Sequence, residues 1–224
     1  MVPPKAFRWV EIGSVLACVA LDVVLAVSVG RGLSTAGASA ASAIAVGGLA
    51  YLAADLVSGC VHFLADSFFT VHTPWLGRTF ILPFRSHHER PWEIAAHDFV
   101  ETNGNNAFAA LFALVPTVLL VPAHAGGRST LVGLFVLVFT VSVLLTNQIH
   151  KWAHVARPPR AVRLLQRMGI LLSPHQHRAH HNPPHGRGYC VTSGLFNYLL
   201  DPIGFFPWTE RVVRGLLGLR PRSE

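Results

Sequence analysis

The sequence predicts an all-helical, polytopic membrane protein with about four transmembrane helices and a histidine-rich cap on one side. Three observations predict this fold class. Apolar residues make up 51% of the 224 residues and charged residues only 13%, a balance typical of membrane proteins rather than soluble globules. Four apolar stretches are long enough to cross a bilayer. Most of the 13 histidines and 18 Lys and Arg residues gather beyond the same ends of those stretches.

Composition also argues against other classes of protein. A formal charge of +7 could suggest nucleic-acid binding, but the chain has no nucleic-acid motif and no aromatic-basic repeat. The cysteines Cys18, Cys60 and Cys190 are too few and too scattered for a disulfide framework. We therefore expect one domain over residues 1–224, with no nucleic-acid partner.

The first span is predicted from about Val10 to Gly30. Lys5 and Arg8, the apolar run and the following AGASA also resemble a secretory signal peptide. The run is longer than a usual signal core and contains Asp22. These two features favour a span that is retained over a segment that is cleaved.

The other three spans are predicted at about Ser39–Ala65, Ala107–His124 and Thr130–Ile149. The third is short for a span and the second is long. Short Gly-rich stretches, RGLSTAGAS and AGGRS, connect the first span to the second and the third to the fourth.

The basic residues orient these spans. Four spans place the N-terminus, residues 66–106 and everything after residue 150 on one side. Of 18 Lys and Arg residues, only Arg31 and Arg128 fall on the other side, and of 13 histidines only His124 does. The positive-inside rule puts the richer side in the cytoplasm. We therefore expect the histidine-rich cap, residues 62–101 and 150–190, on the cytoplasmic face.

A charged segment, residues 157–172, is too short to span the bilayer. Arg160, Arg163 and Arg167 recur at helical spacing, opposite Val162, Leu165 and Leu172. The pattern fits an interfacial helix on anionic headgroups, or a helix packed on the protein itself.

The histidines of the cap recur at spacings that suit metal binding. Positions three or four apart share one helix face, and adjacent positions diverge by about 100°. Each histidine of an adjacent pair can therefore bind a different one of two neighbouring metal ions. The spaced set comprises His62 with Asp66, His87, His88, His150, His154, His177, His180 and His181.

So many buried imidazoles at a membrane surface are costly without a compensating partner. One zinc ion uses three or four protein ligands, whereas eight or more nitrogens suit two iron ions. His72, His124 and His175 are interpreted as ordinary interface histidines.

Five stretches resemble the Kua/CarF family of membrane lipid desaturases. They are DLVSGCVHFLADSF, PFRSHHERPWEIAAHDFVETNGNN, TNQIHKWAH, HQHRAHHNPPHGRGYC and TSGLFNY. The resemblance covers residues from about Asp55 to Trp208, with the motifs in the same order. Gln176 stands where a further histidine is expected in some relatives, and Phe63 where tryptophan is expected. AHDFVETNGNN, with His97, is more similar to the plasmalogen branch of the family than to its plant branch.

The resemblance implies a di-iron, O2-dependent desaturase. Its expected reaction converts plasmanyl- to plasmenylethanolamine by placing a vinyl-ether double bond in the 1-O-alkyl chain. The expected iron ligands are the eight histidines of the spaced set, with His97 and His185 as further ligands or as hydrogen-bonding neighbours of ligands. The chain has no haem, flavin or iron–sulfur motif, so we expect an external electron donor of cytochrome b5 or ferredoxin type.

Acidic and basic residues near these motifs are expected to orient the ligands or to contact the substrate. Asp66 is expected to orient a histidine or to bind metal, and Asp98 and Glu101 to support ligands. Asp55, deep in the second span, is expected to meet a histidine of another segment or to form an interhelical hydrogen bond. The expected contacts to the phospholipid phosphate come from Lys151, Arg178 and Arg187.

Three alternatives remain at this stage. An acyl-lipid desaturase could act near the carboxyl end of a phospholipid acyl chain, as the plant branch implies. A zinc-dependent membrane hydrolase would leave half of these histidines unused, and the chain has no HExxH motif. A non-enzymatic metal-binding or adaptor protein would need no lipid slot beside the metals.

Overall fold

The computed structural model describes residues 5–35, 37–74 and 76–219, with side chains from Phe7 onward. Residues 1–4, 36, 75 and 220–224, which the predicted domain of residues 1–224 includes, lie outside the described residues. Throughout the described ranges all regular structure is helical. The all-α prediction is therefore confirmed.

Five helices occupy the first two thirds of the chain. They are α1 (Lys5–Ser34), α2 (Ala40–Ser67), α3 (Leu82–Glu89), α4 (Phe99–Leu120) and α5 (Gly127–His154). A π-helical turn, Gly77–Ile81, leads directly into α3, and a 3-10 turn, Glu93–Ala96, precedes α4.

Four shorter helices follow. They are α6 (Arg160–Arg167), α7 (Pro174–Arg178), α8 (Asn197–Leu200) and α9 (Phe205–Leu217).

Four of these helices are long and apolar enough to cross a membrane, at Phe7–Ser34, Ala40–Ser67, Phe99–Leu120 and Gly127–His154. They correspond to the four predicted spans. The last turns of α2 carry His62 and Asp66, and those of α5 carry His150 and His154. Helical periodicity therefore holds each pair on one face of its helix.

The third span begins eight residues earlier than predicted and ends before His124. Asp98 caps the N-terminus of α4, because its carboxylate accepts the backbone N–H of Glu101 at 2.9 Å. The first turns of α4 are polar, but Thr102, Asn103 and Gly104 are buried, so a hydropathy pattern misses them. Pro122 stops the helix at its other end, where His124 lies in a 3-10 turn.

The segment 157–172 forms a helix of only eight residues, α6. Val162 and Gln166 are its buried residues, whereas Arg160, Arg163 and Arg167 are exposed. Gly169, with φ +70°, reverses the chain, so the predicted apolar contact Leu172 lies beyond the helix.

The chain folds into two compact units. The first comprises the residues up to Ala54 together with His97–Gln148. Its apolar core consists of Val15, Cys18, Leu25, Val29, Ala107, Ala110, Leu114, Ala123 and Leu144. Asp22 is buried there and accepts a hydrogen bond from Thr140 at 2.7 Å, which satisfies an acid inside an apolar helix.

The second unit comprises Asp55–Ala96 and the residues from Ile149 onward. Its core is aromatic. Phe63, Tyr189 and Phe206 are buried, with ring centroids 4.8–5.5 Å apart in edge-on or tilted pairs. Gly59 permits close approach of the chain around Cys190, because a Cβ at Gly59 would lie 2.4 Å from the Cys190 Sγ. The spaced histidines all belong to this unit.

Candidate metal centre

The first pair of candidate ligands lies at the C-terminal end of α2. The His62 and Asp66 side chains are each only 1% exposed. The His62 Nε2 lies 3.5 Å from the Asp66 Oδ2. The spacing of four residues puts both side chains on the face of α2 that is buried in the second unit.

The second pair, His87 and His88, diverges as adjacent helical residues must. The His87 ring lies 4.6 Å from both His150 and His154, measured between ring centroids. The His88 Nε2 lies 2.9 Å from the Asp66 Oδ2. Arg85, on the same helix, ties α3 to the end of α2 because its guanidinium donates to the backbone oxygen of Asp66 at 3.2 Å.

The remaining imidazoles come from α5, from α7 and from the turn that follows α7. The His177 Nε2 lies 2.7 Å from the His150 Nε2 and 2.9 Å from the His181 Nε2. The His154 Nε2 lies 3.4 Å from the His150 Nε2. His180 turns the other way, with its Nε2 3.5 Å from the Asp66 Oδ2. The adjacent pair His180 and His181 therefore divides in the same manner as His87 and His88.

These side chains form two groups, each with ligand atoms within 4.8 Å of one another. Cluster A consists of His87, His150, His154, His177 and His181. Cluster B consists of His62, Asp66, His88 and His180. The eight predicted histidines and Asp66 are thus brought together, and both HH pairs contribute one residue to each cluster.

The donor atoms fit metal ions. Two ligands about 2.0–2.1 Å from one ion, at angles of 90–109°, lie about 2.9–3.4 Å apart. The contacts among the cluster A Nε2 atoms, 2.7–3.4 Å, are close to this range. Among the described residues, the buried Nε2 atoms of His62, His87 and His180 have no hydrogen-bond partner. A metal ion would satisfy such nitrogen lone pairs, which are costly to leave unpaired in a buried site.

Burial favours the neutral form of four of these imidazoles, which is the form that metal binding requires. Burial lowers the pKa of His177 and of His180 well below the usual value of 6.5 because it disfavours the imidazolium. Burial also lowers the pKa of His87. Burial, followed by repulsion from His154 and His88, lowers the pKa of His181 to about 3.

Backbone carbonyls orient two histidines of cluster B. The His62 Nδ1 lies 3.3 Å from the carbonyl oxygen of Tyr189, and the His180 Nδ1 lies 2.9 Å from that of Arg187. In each case Nδ1–H donates and Nε2 is left as the metal-binding nitrogen. Asp201 holds the segment between those carbonyls, because its two carboxylate oxygens accept the N–H of Gly188 at 3.1 Å.

Asp55 meets no histidine, which corrects the first of its two expected roles. Its carboxylate accepts backbone N–H groups of Thr192, Ser193, Gly194 and Phe196 at 2.7–3.1 Å. Asp55 is fully buried, so these bonds compensate its desolvation. It fixes the chain just beyond the carbonyls that orient cluster B.

His97, His185, Asp98 and Glu101 belong to neither cluster. The His97 Nε2 lies 3.6 Å from the Glu101 Oε1, with both side chains more than a third exposed. Asp98 caps α4 and accepts a 2.6 Å hydrogen bond from Arg8. The His185 Nδ1 lies 3.0 Å from the carbonyl oxygen of His180 and 3.3 Å from the His88 Nδ1. The expected roles of these residues stay predictions.

The other predicted residues lie at the surface of the second unit. Arg178 and Arg187 are exposed, as are His72 and His175, and Lys151 is partly exposed. Gln176, at the position of an expected histidine, instead completes a capping box with Ser173 at the start of α7.

Sequence reasoning missed Asp201 and the carbonyls of Arg187 and Tyr189. The motif HGRGYC marks that segment, but a backbone carbonyl has no side-chain signal that could reveal its role.

The comparisons with known proteins find several similar sequences. A family model described as a lipid desaturase domain matches residues 51–224. The plasmanylethanolamine desaturase of Myxococcus xanthus is 39% identical over 219 residues, which cover 98% of this chain and 76% of that protein.

Two eukaryotic proteins are similar over a shorter range. Plasmanylethanolamine desaturase 1 of Mus musculus is 40% identical over 179 residues, covering 77% of this chain and 65% of the mouse protein. The chloroplastic fatty acid desaturase 4 of Arabidopsis thaliana is 38% identical over 176 residues, covering 77% of this chain and 52% of the plant protein. No solved structure matches the chain. The matched family and the four apolar helices identify an integral membrane protein whose histidine clusters are compatible with metal.

Proposed function

This chain belongs to the lipid desaturase family, whose members are oxidoreductases acting on lipids, and on that premise we propose that it makes plasmalogens. The substrate is an ether phospholipid, plasmanylethanolamine. The product, plasmenylethanolamine, carries a vinyl-ether double bond between C1 and C2 of the 1-O-alkyl chain. The relatives from Myxococcus xanthus and Mus musculus, both named for this substrate, support the assignment.

The observation that carries the proposal is the division of the histidines into clusters A and B. Nine candidate ligands exceed the need of one zinc ion, and they fall into two groups rather than one. We infer that each cluster binds one iron ion. His97 and His185 remain candidates for further ligands or for their hydrogen-bonding neighbours.

The overall reaction is an oxidation that consumes dioxygen. The –CH2–CH2–O– unit of the lipid, O2, two electrons and two protons become –CH=CH–O– and two water molecules. Two iron ions, when bound, supply the activation of O2 that removes the two hydrogens. The electrons come from an external donor of cytochrome b5 or ferredoxin type.

The side chains prepare the site for that chemistry. The His62 and His180 Nδ1–H groups donate to backbone carbonyls, so both Nε2 atoms face Asp66 as neutral ligands. Asp66 adds a negative charge among the imidazoles of cluster B and balances the charge of a bound cation. Asp98 and Glu101 stay predicted to support ligands, and Asp98 also caps α4.

The position of the ligands on α2 and α5 indicates which bond reacts. His62, Asp66, His150 and His154 all lie in the last turns of helices that can span a membrane. A phospholipid keeps its headgroup in water, so the carbons nearest the glycerol come closest to such a position. The charge asymmetry of the sequence supports a cytoplasmic position for this end. Lys151, Arg178 and Arg187 stay the predicted contacts to the lipid phosphate; Arg178 and Arg187 are exposed and Lys151 is partly exposed.

The test supplies 1-O-alkyl-2-acyl-phosphatidylethanolamine, O2 and a reductase system to membranes that contain the protein. We expect an acid-labile vinyl ether, detected by mass spectrometry before and after acid treatment. A new double bond only in the middle of an acyl chain would contradict both the position argument and the substrate. A double bond next to the acyl carboxyl would preserve the position argument and replace the ether substrate by an acyl lipid.

A further inference from the structure

A cavity of about 400 Å³ opens between the end of α5, helix α6 and the start of α7. Its walls include Val155 and Pro174, and the guanidinium-bearing side chains of Arg163 and Arg167. All of these residues belong to the second unit. Neither cluster contains any of them, so the metal ligands do not account for this cavity.

The segment of chain that lines the cavity contains no acidic residue. Residues 151–200 contain no Asp or Glu and seven Lys or Arg. Arg163 and Arg167 stand four apart on α6, where like charges share a face and repel each other. In the part of the chain that the structure describes, neither guanidinium has a carboxylate partner within 4 Å. An anion in the cavity would relieve this repulsion.

The walls of the cavity are held in place without a ligand. The buried Gln166 donates its Nε2–H to the carbonyl oxygen of Leu172 at 3.0 Å, which joins α6 to the segment before α7. Ser173 and Gln176 form a capping box that fixes the start of α7. A cavity with fixed walls loses less conformational entropy on binding.

The cavity is near cluster A along the chain. Val155 directly follows His154, and Pro174 precedes His177 by three residues. Consecutive Cα atoms are about 3.8 Å apart, so these wall residues lie within roughly 4–11 Å of cluster A backbone positions. In a glycerophospholipid, six bonds separate phosphorus from C1 of the alkyl chain, at most roughly 9 Å at bond lengths of ~1.5 Å. The walls at Val155 and Pro174 are thus separated from cluster A backbone positions by about this length or less.

From these observations we propose that Arg163 and Arg167 bind the phosphate of the phospholipid substrate in this cavity, in place of the contacts predicted for Lys151, Arg178 and Arg187. The inference rests on the proposed function for the identity of the lipid. Arginine suits the role because its planar fork donates two parallel hydrogen bonds to phosphate oxygens. The cavity would then select lipids with a phosphodiester over neutral lipids of the same chains.

The test measures binding rather than turnover. Purified iron-loaded protein in neutral detergent is titrated with two probes, 1-O-alkyl-2-acyl-phosphatidylethanolamine and the phosphate-free 1-O-alkyl-2-acylglycerol. Wild type is expected to prefer the phospholipid, and the double variant R163Q/R167Q to lose about tenfold of that preference. The matched control is R160Q, which removes an exposed arginine of the same helix outside the cavity lining. Equal iron content of the variants reports intact folding.

An unchanged preference in R163Q/R167Q would overturn the proposal. The proposal also fails if R160Q loses as much preference as the double variant, because a general surface attraction would then explain the effect. A double variant that binds lipid normally but accepts electrons more slowly from an acidic donor protein would assign the arginines to that partner instead. If R163Q/R167Q loses the preference for the phospholipid but the wild type makes no vinyl ether, the result would support phosphate binding in the cavity and contradict the proposed function.

Discussion

Clusters A and B share two HH pairs but differ in charge. Cluster A offers five neutral imidazoles, whereas cluster B offers three imidazoles and the carboxylate of Asp66. A cation in cluster B therefore has one negative ligand to balance it, and a cation in cluster A has none. Carboxylate oxygen is also a harder donor than imidazole nitrogen. The two ions of the proposed centre are consequently inequivalent.

The clusters differ as well in what holds their ligands. In cluster B, the Nδ1 atoms of His62 and His180 contact backbone carbonyls at 3.3 and 2.9 Å. In cluster A, the buried Nδ1 atoms of His177 and His181 have no hydrogen-bond partner among the described residues. Oriented ligands bind metal more tightly. The ligands of cluster B are therefore oriented before metal binds. The ligands of cluster A depend more on the metal itself for their orientation.

The largest expected effect comes from removing one imidazole from either cluster. His154→Ala in cluster A and His180→Ala in cluster B should each abolish vinyl-ether formation, because the proposed reaction needs an ion in each cluster. His72→Ala and His124→Ala, outside both clusters, are the controls and should retain activity. The measurement is product per unit of membrane protein. Loss of activity in a folded His124→Ala protein would show that the proposed membrane topology is wrong.

Removing only the charge of Asp66 should lower metal binding in cluster B and leave cluster A unchanged. Asp66→Asn keeps the size of the side chain and should lower the metal affinity of cluster B about 10–100-fold. Iron in the purified protein should then fall from about two to about one per chain. Glu93→Gln, which removes an exposed acid paired with Arg90, is the control and should leave the iron content unchanged. An Asp66→Asn protein with full iron would remove the basis for treating the clusters as chemically different.

The smallest effect concerns the support of cluster B. Asp201→Ala leaves the Gly188 N–H without its acceptor, which costs about 1–3 kcal/mol in a buried site. The carbonyls of Arg187 and Tyr189 flank Gly188, so the variant should lose iron several-fold faster during dialysis against a chelator. A loss of one iron ion per chain would assign the effect to cluster B alone. Unchanged iron loss, with a normal unfolding temperature, would mean that these carbonyls do not control metal binding.

Helical periodicity accounts for what could be predicted from the sequence. Spacings of four at His62/Asp66 and His150/His154, and adjacency at His87/His88, determine which side chains face together once a helix forms. The structure brings these residues together as expected. Their function as iron ligands stays a prediction.

Tertiary contacts account for what could not be predicted. The polar start of α4 is helical because Thr102, Asn103 and Gly104 are buried, which hydropathy cannot show. The sequence predicts that Asp55 meets a histidine or another helix, yet it accepts four backbone N–H groups of a distant segment. The tertiary fold determines which backbone N–H groups Asp55 meets. The identity of the residues that supply them does not.

The metal content of active protein tests the central claim most directly. Protein purified in detergent, and shown to form vinyl ether, is analysed for iron and zinc by mass spectrometry and normalised to quantitative amino-acid analysis. Two occupied clusters predict about two irons per chain and little zinc. An active preparation with one zinc per chain, or one that retains full activity without iron, would contradict the account.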